Sequence, residues 1–397
     1  MDVAARLDQL QAANLHRRLR LIESSQGPRA VLEGRDVLVL CSSNYLGLAD
    51  HPRVRQAAAD AAERWGASAG ASRLACGNMG PHERLERALA EFHDRPAALL
   101  FGSGYLANIG TITALAGEGE VVFADELSHP SIVDGCRLSR AHRFAYRHRD
   151  LEHLAWGLRK AGDRAKLIAT DGIFAMDGDV APLPELAELA IRHGCRLVVN
   201  DAHGVGTIGP GGRGTVAAAG LNGEVDVIVG SLGKALGSYG AYVCTSPEVR
   251  ELLINSARAF AFSTAPPPPA LGAAFAALRL LDSRPGVVTQ LRRNAGALRE
   301  ALAGEGLDVG DSRTQIVPVI VGDAARAMEL SERVLGVGVY AEPVRPPAVA
   351  EGTARLRLTV MANHRVDELQ NAAHTIGRAA RELGLVHDAE HELRRAA

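Results

Sequence analysis

The sequence predicts an α/β protein: a large domain on a mostly parallel sheet, followed by a smaller α+β domain at the C-terminal end. Three observations predict it. Short runs that are apolar at every position, such as Leu197-Val198-Val199, alternate with stretches of helical periodicity, such as 184–193. Strands that are apolar throughout are buried on both faces, as in a parallel sheet covered by helices. The chain has 397 residues with 47% hydrophobic content, enough to bury a large core and to divide into a major and a minor domain.

Taken in order, Leu7, Leu10, Leu15, Leu19 and Ile22 recur at helical spacing and predict an N-terminal amphipathic helix over 3–24. Strands are predicted at 97–101, 121–124, 167–170, 197–199 and 225–229, with functional loops at their carboxyl ends. The proline run at 266–269 interrupts any helix, and a long helical pattern follows over 270–281. Beyond it come a strand at 316–321, a helix at 324–335, a strand at 355–360 and a closing helix at 366–383. The expected division is an N-terminal helix and arm over 1–45, a large domain over 46–285 and a small domain over 286–397.

A formal charge of −2, with both signs mixed along the chain, provides no general attraction for nucleic acid or an anionic membrane. No apolar stretch approaches the roughly 20 residues needed to span a bilayer, and the N-terminus is too polar for a signal peptide, so a cytoplasmic location is expected. The cysteines Cys41, Cys76, Cys136, Cys195 and Cys244 form no close pairs, which argues against a disulfide framework or a metal site.

The chemistry concentrates at two strand ends. In Val229-Gly230-Ser231-Leu232-Gly233-Lys234-Ala235-Leu236-Gly237, a lysine follows an apolar strand and is flanked by glycines that permit close approach of backbone and cofactor. In isolation such a lysine is an ordinary surface residue. Upstream, Asn200, Asp201 and His203 close another apolar strand with groups able to meet a heterocycle. By themselves, Tyr105 reads as a core aromatic and His129 as a capping or solvated histidine.

With Cys41-Ser42-Ser43-Asn44-Tyr45-Leu46-Gly47-Leu48, Phe101-Gly102-Ser103-Gly104-Tyr105, Asp125-Glu126-Leu127-Ser128-His129, Asp177-Gly178-Asp179, Phe262-Ser263-Thr264 and Arg355-Leu356-Arg357 in this order, the chain resembles the α-oxoamine synthases. These are fold-type I pyridoxal-phosphate enzymes, and the resemblance covers nearly the whole chain. It implies that Lys234 holds pyridoxal 5'-phosphate as a Schiff base and later serves as a base. It also implies that His129 stacks on the pyridine ring and that His203 lies near its phenolic oxygen. Gly104 and Tyr105 match the phosphate turn, and Ser231 and Thr264 match hydroxyl donors to the phosphate, Thr264 coming from the second subunit of a homodimer. Asn44, Arg345 and Arg357 match substrate positions. Arg357 is favoured for the amino-acid carboxylate on the motif, although Arg355 shares its strand face and spacing does not choose between them.

The family's aspartate three positions before the site histidine is Asn200 here. Asp201 follows, but one step along a strand turns a side chain to the opposite face. Ala175, Ala348 and His16 also depart from the pattern, and Asp171 stands where relatives carry glutamate. The resemblance implies decarboxylative condensation of a small amino acid, best matched by L-alanine, with an acyl thioester. The best match for the latter is pimeloyl-CoA or a pimeloyl carrier protein, and the product is an α-amino ketone such as 8-amino-7-oxononanoate. Glycine or serine with another thioester, aminotransfer, and a non-catalytic cofactor-fold subunit are the alternatives.

Overall fold

The computed structural model describes residues 2–12 and 15–386, which divide into two compact units, one comprising 43–175 and 179–289 and the other 2–12, 15–42, 176–178 and 290–386. The first is built on a seven-stranded sheet. Its strands are β1 (Ala97–Phe101), β2 (Val121–Asp125), β3 (His142–Tyr146), β4 (Lys166–Asp171), β5 (Arg196–Asn200), β6 (Val227–Ser231) and β7 (Ala241–Thr245). They lie in the order β1-β7-β6-β5-β4-β2-β3.

The four pairings from β6 across to β3 are parallel, whereas β7 runs antiparallel to both its neighbours, β1 and β6. The runs that are apolar throughout are the buried strands, and Phe101, Val122, Val198, Val229 and Val243 pack with Ile112 in one cluster. Two strands escape the sequence pattern. At the sheet edge, β3 is mostly solvent-facing, so its polar residues carry no apolar run. β7 lies between β6, which precedes it, and β1, far away in the chain, with Ala241 opposite both Phe101 and Ser231. Because β7 reverses direction between them, β1 and β6 point the same way. The carboxyl ends Phe101, Asp125, Asp171, Asn200 and Ser231 therefore share one edge.

The helix after the prolines, Pro268–Ser283, starts inside the proline run, where Pro268 occupies a first-turn position whose N–H is not needed. In the second unit, strands Ile316–Gly322, Ala354–Thr359 and Glu342–Val344 form an antiparallel sheet, accompanied by helices Ala324–Gly336 and Val366–Glu382. The N-terminal helix expected over 3–24 is confined to Val3–Ala12 and buries nothing. Residues 22–23 instead pair with the backbone at 31–32, Glu23 N–H donating to Val31 O, and Leu19 is left fully exposed. Backbone pairing there, together with packing of Ile22 against a core cluster, outweighs the helical pattern. Among the described residues no helix is long and apolar enough to cross a membrane.

Candidate active site

Lys234 sits in the connection from β6 to β7, half-buried. The connection is closed by Leu232 N–H to Gly240 O, Ser238 N–H to Leu232 O and Gly237 N–H to Lys234 O, each 2.9 Å. Gly237 adopts φ +57°, and a Cβ there would fall 2.4 Å from the Ala49 nitrogen, so the glycine after the lysine is a packing requirement.

The Lys234 charge acts on two neighbours, His129 and Asp171. His129 caps helix Pro130–Ser139, its Nδ1 accepting from Ser131 N–H at 3.2 Å and lying 2.6 Å from Ser131 Oγ, which accepts from Asn108 Nδ2 at 2.8 Å. Burial, assisted by the Lys234 charge, lowers the His129 pKa to about 4, so the ring is neutral near pH 7. Its backbone N–H donates to Asp171 Oδ2 at 2.8 Å, while Asn200 Nδ2 donates to Asp171 Oδ1 at 2.7 Å. Burial pushes the Asp171 carboxyl up to about 7 against those two hydrogen bonds. Asn200 Oδ1 is buried without a hydrogen-bond partner.

Asp201, expected with Asn200 among the cofactor-binding residues, does not join this cluster. Its Oδ1 accepts from Thr215 Oγ1 at 2.8 Å and its Oδ2 from Thr215 N–H at 2.7 Å. The carboxylate is wrapped by Gly172, Gly204 and Gly214, and a Cβ on Gly204 would come within 1.9 Å of Oδ1. Burial raises its pKa to about 7. The one-residue step along β5 thus separates a cluster-facing amide from a carboxylate that staples the following loop.

His203 is buried, with Nδ1 2.7 Å from the hydroxyl of the fully buried Tyr45. Asn44 Oδ1 accepts from Ala49 N–H at 3.1 Å and shapes the adjacent turn. Gly104 opens helix Gly104–Leu115, where Ser103 Oγ accepts from Leu106 N–H at 3.2 Å and a Cβ at Gly104 would meet nothing within 4 Å. Tyr105 is exposed rather than in the core, and its hydroxyl donates to Asp134 Oδ2 at 2.6 Å. Ser231 is buried at the end of β6, and Ala241, opposite it and Phe101, brings it to the strand end that precedes Gly104. Thr264 is exposed and bridges to Ser72.

Arg345 and Arg357 belong to the other unit. There Arg345 is bonded to the His16 carbonyl and contacts Met328 Sδ, and Arg355 is paired with Asp177. Arg357 is buried in the sheet opposite Pro318 and Glu342.

Residues 35–376 match the model of the family described as aminotransferase class I and II. The chain is 51% identical, over 97% of its length and 99% of the relative's, to an 8-amino-7-oxononanoate synthase of Geobacter sulfurreducens. The chain belongs to the α-oxoamine synthases of the class I and II aminotransferase family. Among solved structures of the family, a serine palmitoyltransferase with its pyridoxal-phosphate internal aldimine superposes with a TM-score of 0.92 at 32% identity, covering 97% of this chain and 98% of that one. An 8-amino-7-oxononanoate synthase from Francisella tularensis superposes with a TM-score of 0.76 at 27% identity, over 87% and 98%.

The cluster suits the family's cofactor. A helix start with open space at Gly104 can receive a phosphate, Lys234 offers an amine, and the buried Asn200 Oδ1 is an acceptor awaiting a donor. Sequence reasoning undervalued Asp171, treated as a minor variation, although it ties His129 to Asn200. It also missed His148, which lies between Asp125 Oδ1 at 3.0 Å and Asp179 Oδ2 at 2.9 Å. A histidine that stands well away from every quoted motif carries no local signal of that pairing.

Proposed function

We propose that the chain condenses L-alanine with a pimeloyl thioester, releasing 8-amino-7-oxononanoate, the thiol and carbon dioxide. The supporting observation is the half-buried Lys234 set against a neutral His129 and the Asp171–Asn200 pair, in a chain half identical to a synthase of that product. Pyridoxal phosphate supplies the electron sink for the pair left when a bond to the amino acid's α-carbon breaks.

Lys234 Nζ would hold the cofactor's aldehyde and would serve as the base that takes and returns the substrate's α-proton. His129, kept neutral by burial, offers a flat uncharged face to the ring. The N–H groups at Gly104 and Tyr105 and the Ser231 hydroxyl receive the phosphate. Tyr45 holds the His203 ring through Nδ1, and His203 is placed near the phenolic oxygen on the motif. Arg357 is retained for the amino-acid carboxylate on the motif. Asn44 and Arg345 are retained as substrate-side residues on the motif. The exposed Thr264 fits delivery to the phosphate of a second copy, so the active unit is a homodimer, located in the cytoplasm.

The test is thiol release with mass detection of product, using cofactor-loaded protein, L-alanine and pimeloyl-CoA beside a panel of other amino acids and thioesters, including a pimeloyl carrier protein. Product of the 8-amino-7-oxononanoate mass, abolished by Lys234→Ala, supports the reading. Turnover only with another pair, or turnover that survives Lys234→Ala, refutes it.

A further inference from the structure

Asn200 is 5% exposed, its Nδ2 is committed to Asp171, and its Oδ1 has no partner. An ionised carboxylate only accepts hydrogen bonds, so while Asp171 is charged the amide nitrogen faces it and the oxygen faces away. The other Asp171 oxygen takes the backbone N–H of His129. One buried carboxylate therefore orients the side chain of Asn200 and the segment that carries His129. An unbonded buried amide oxygen is uncommon in a folded chain and calls for a donor.

We infer that Asp171 is a positioning residue, which fixes Asn200 Oδ1 as the acceptor for the ring N–H of pyridoxal phosphate and supplies through the amide the negative charge that Asn200 lacks. This rests on the cofactor reading above. The arrangement is a relay of two hydrogen bonds, carboxylate to amide N–H and amide oxygen to ring N–H, in which each bond polarises the next. Burial makes the Asp171 charge costly, and a protonated ring at the far end of the relay offsets that cost. Asp171 ceases on this view to be a conservative exchange for glutamate: its length sets where the amide oxygen stands.

The experiment loads the purified full chain with pyridoxal phosphate labelled with 15N in its ring and records the nitrogen resonance at about pH 8, where Asp171 is mostly ionised. The native chain is expected to hold the ring nitrogen protonated. Asp171→Asn should lower the ring-nitrogen pKa by about one unit or more, seen as a shift toward the unprotonated resonance. Asn200→Leu, which keeps Asp171 but removes the amide, should move the signal the same way. The exchanged pair Asp171→Asn with Asn200→Asp, which returns a carboxylate to the ring side, should restore it. A bound cofactor whose ring resonance is indifferent to both Asp171→Asn and Asn200→Leu overturns this inference alone. Failure of the native chain to bind the cofactor overturns both it and the proposed function.

Discussion

His148 offers the most quantitative test of the structure around the β2 and β4 strand ends. Its ring lies edge-on to Phe174 at 4.5 Å, with Nδ1 on Asp125 and Nε2 on Asp179. Burial alone would lower its pKa, but the two carboxylate hydrogen bonds outweigh burial and raise it from 6.5 to about 9. Between those values the folded chain keeps a proton that the unfolded chain has released. Stability is therefore fully present below pH 6.5, falls as pH rises, and levels off above about 9. At about 1.4 kcal/mol per unit, the loss between pH 7 and pH 9 is about 2–3 kcal/mol. Asp171 and Asp201, raised by burial to about 7, still titrate at the lower edge of this window, and the Cys41 thiol, raised by burial to about 12, adds to the loss at its upper edge as the unfolded thiol ionises; His148→Gln shares these contributions, so they cancel in the comparison. Both tryptophans, Trp65 and Trp156, lie in the unit that holds His148, so fluorescence during urea unfolding reports that unit. Native protein should lose stability across the window relative to His148→Gln. Parallel stability curves for the two proteins would refute the assignment of a charged His148 held between two carboxylates.

Three further outcomes follow from specific contacts. Tyr45→Phe removes the hydroxyl bonded to His203 Nδ1; a cost of about 1 kcal/mol in urea unfolding is expected, together with a fall in kcat exceeding any change in KM. Gly230→Ala drives a Cβ to 2.1 Å from the Tyr242 ring inside the β6–β7 pairing, and thermal unfolding should show a loss of about 1–3 kcal/mol or more, with reduced cofactor retention because Lys234 follows that strand. Ser103→Ala removes the cap of the helix that opens at Gly104; about 1 kcal/mol of stability should be lost, and pyridoxal-phosphate affinity measured by absorbance titration should weaken in step.

What was legible in the sequence is what short stretches of chain encode. The all-apolar runs at 97–101, 121–124 and 197–199, and the apolar part 227–229 of the segment expected at 225–229, fall in buried strands because burial on both faces demands that composition. Lys234 between glycines, and Gly104 at a helix start, are likewise local: a turn and a cap are made by neighbours in the chain. The expected helix over 3–24 is shortened to Val3–Ala12 because Ile22 pairs with Leu32 and packs against a core cluster, a tertiary contact that periodicity does not record. Only tertiary structure decided the lateral order of the strands, and with it the site. β7 came to lie between β6 and the distant β1, and Asp171, His129 and Asn200 met across adjacent strand ends, whereas the parting of Asn200 and Asp201 already followed from strand alternation. The physical reason is that a period records how a segment meets the core, whereas hydrogen bonds between strand ends depend on which strands lie side by side.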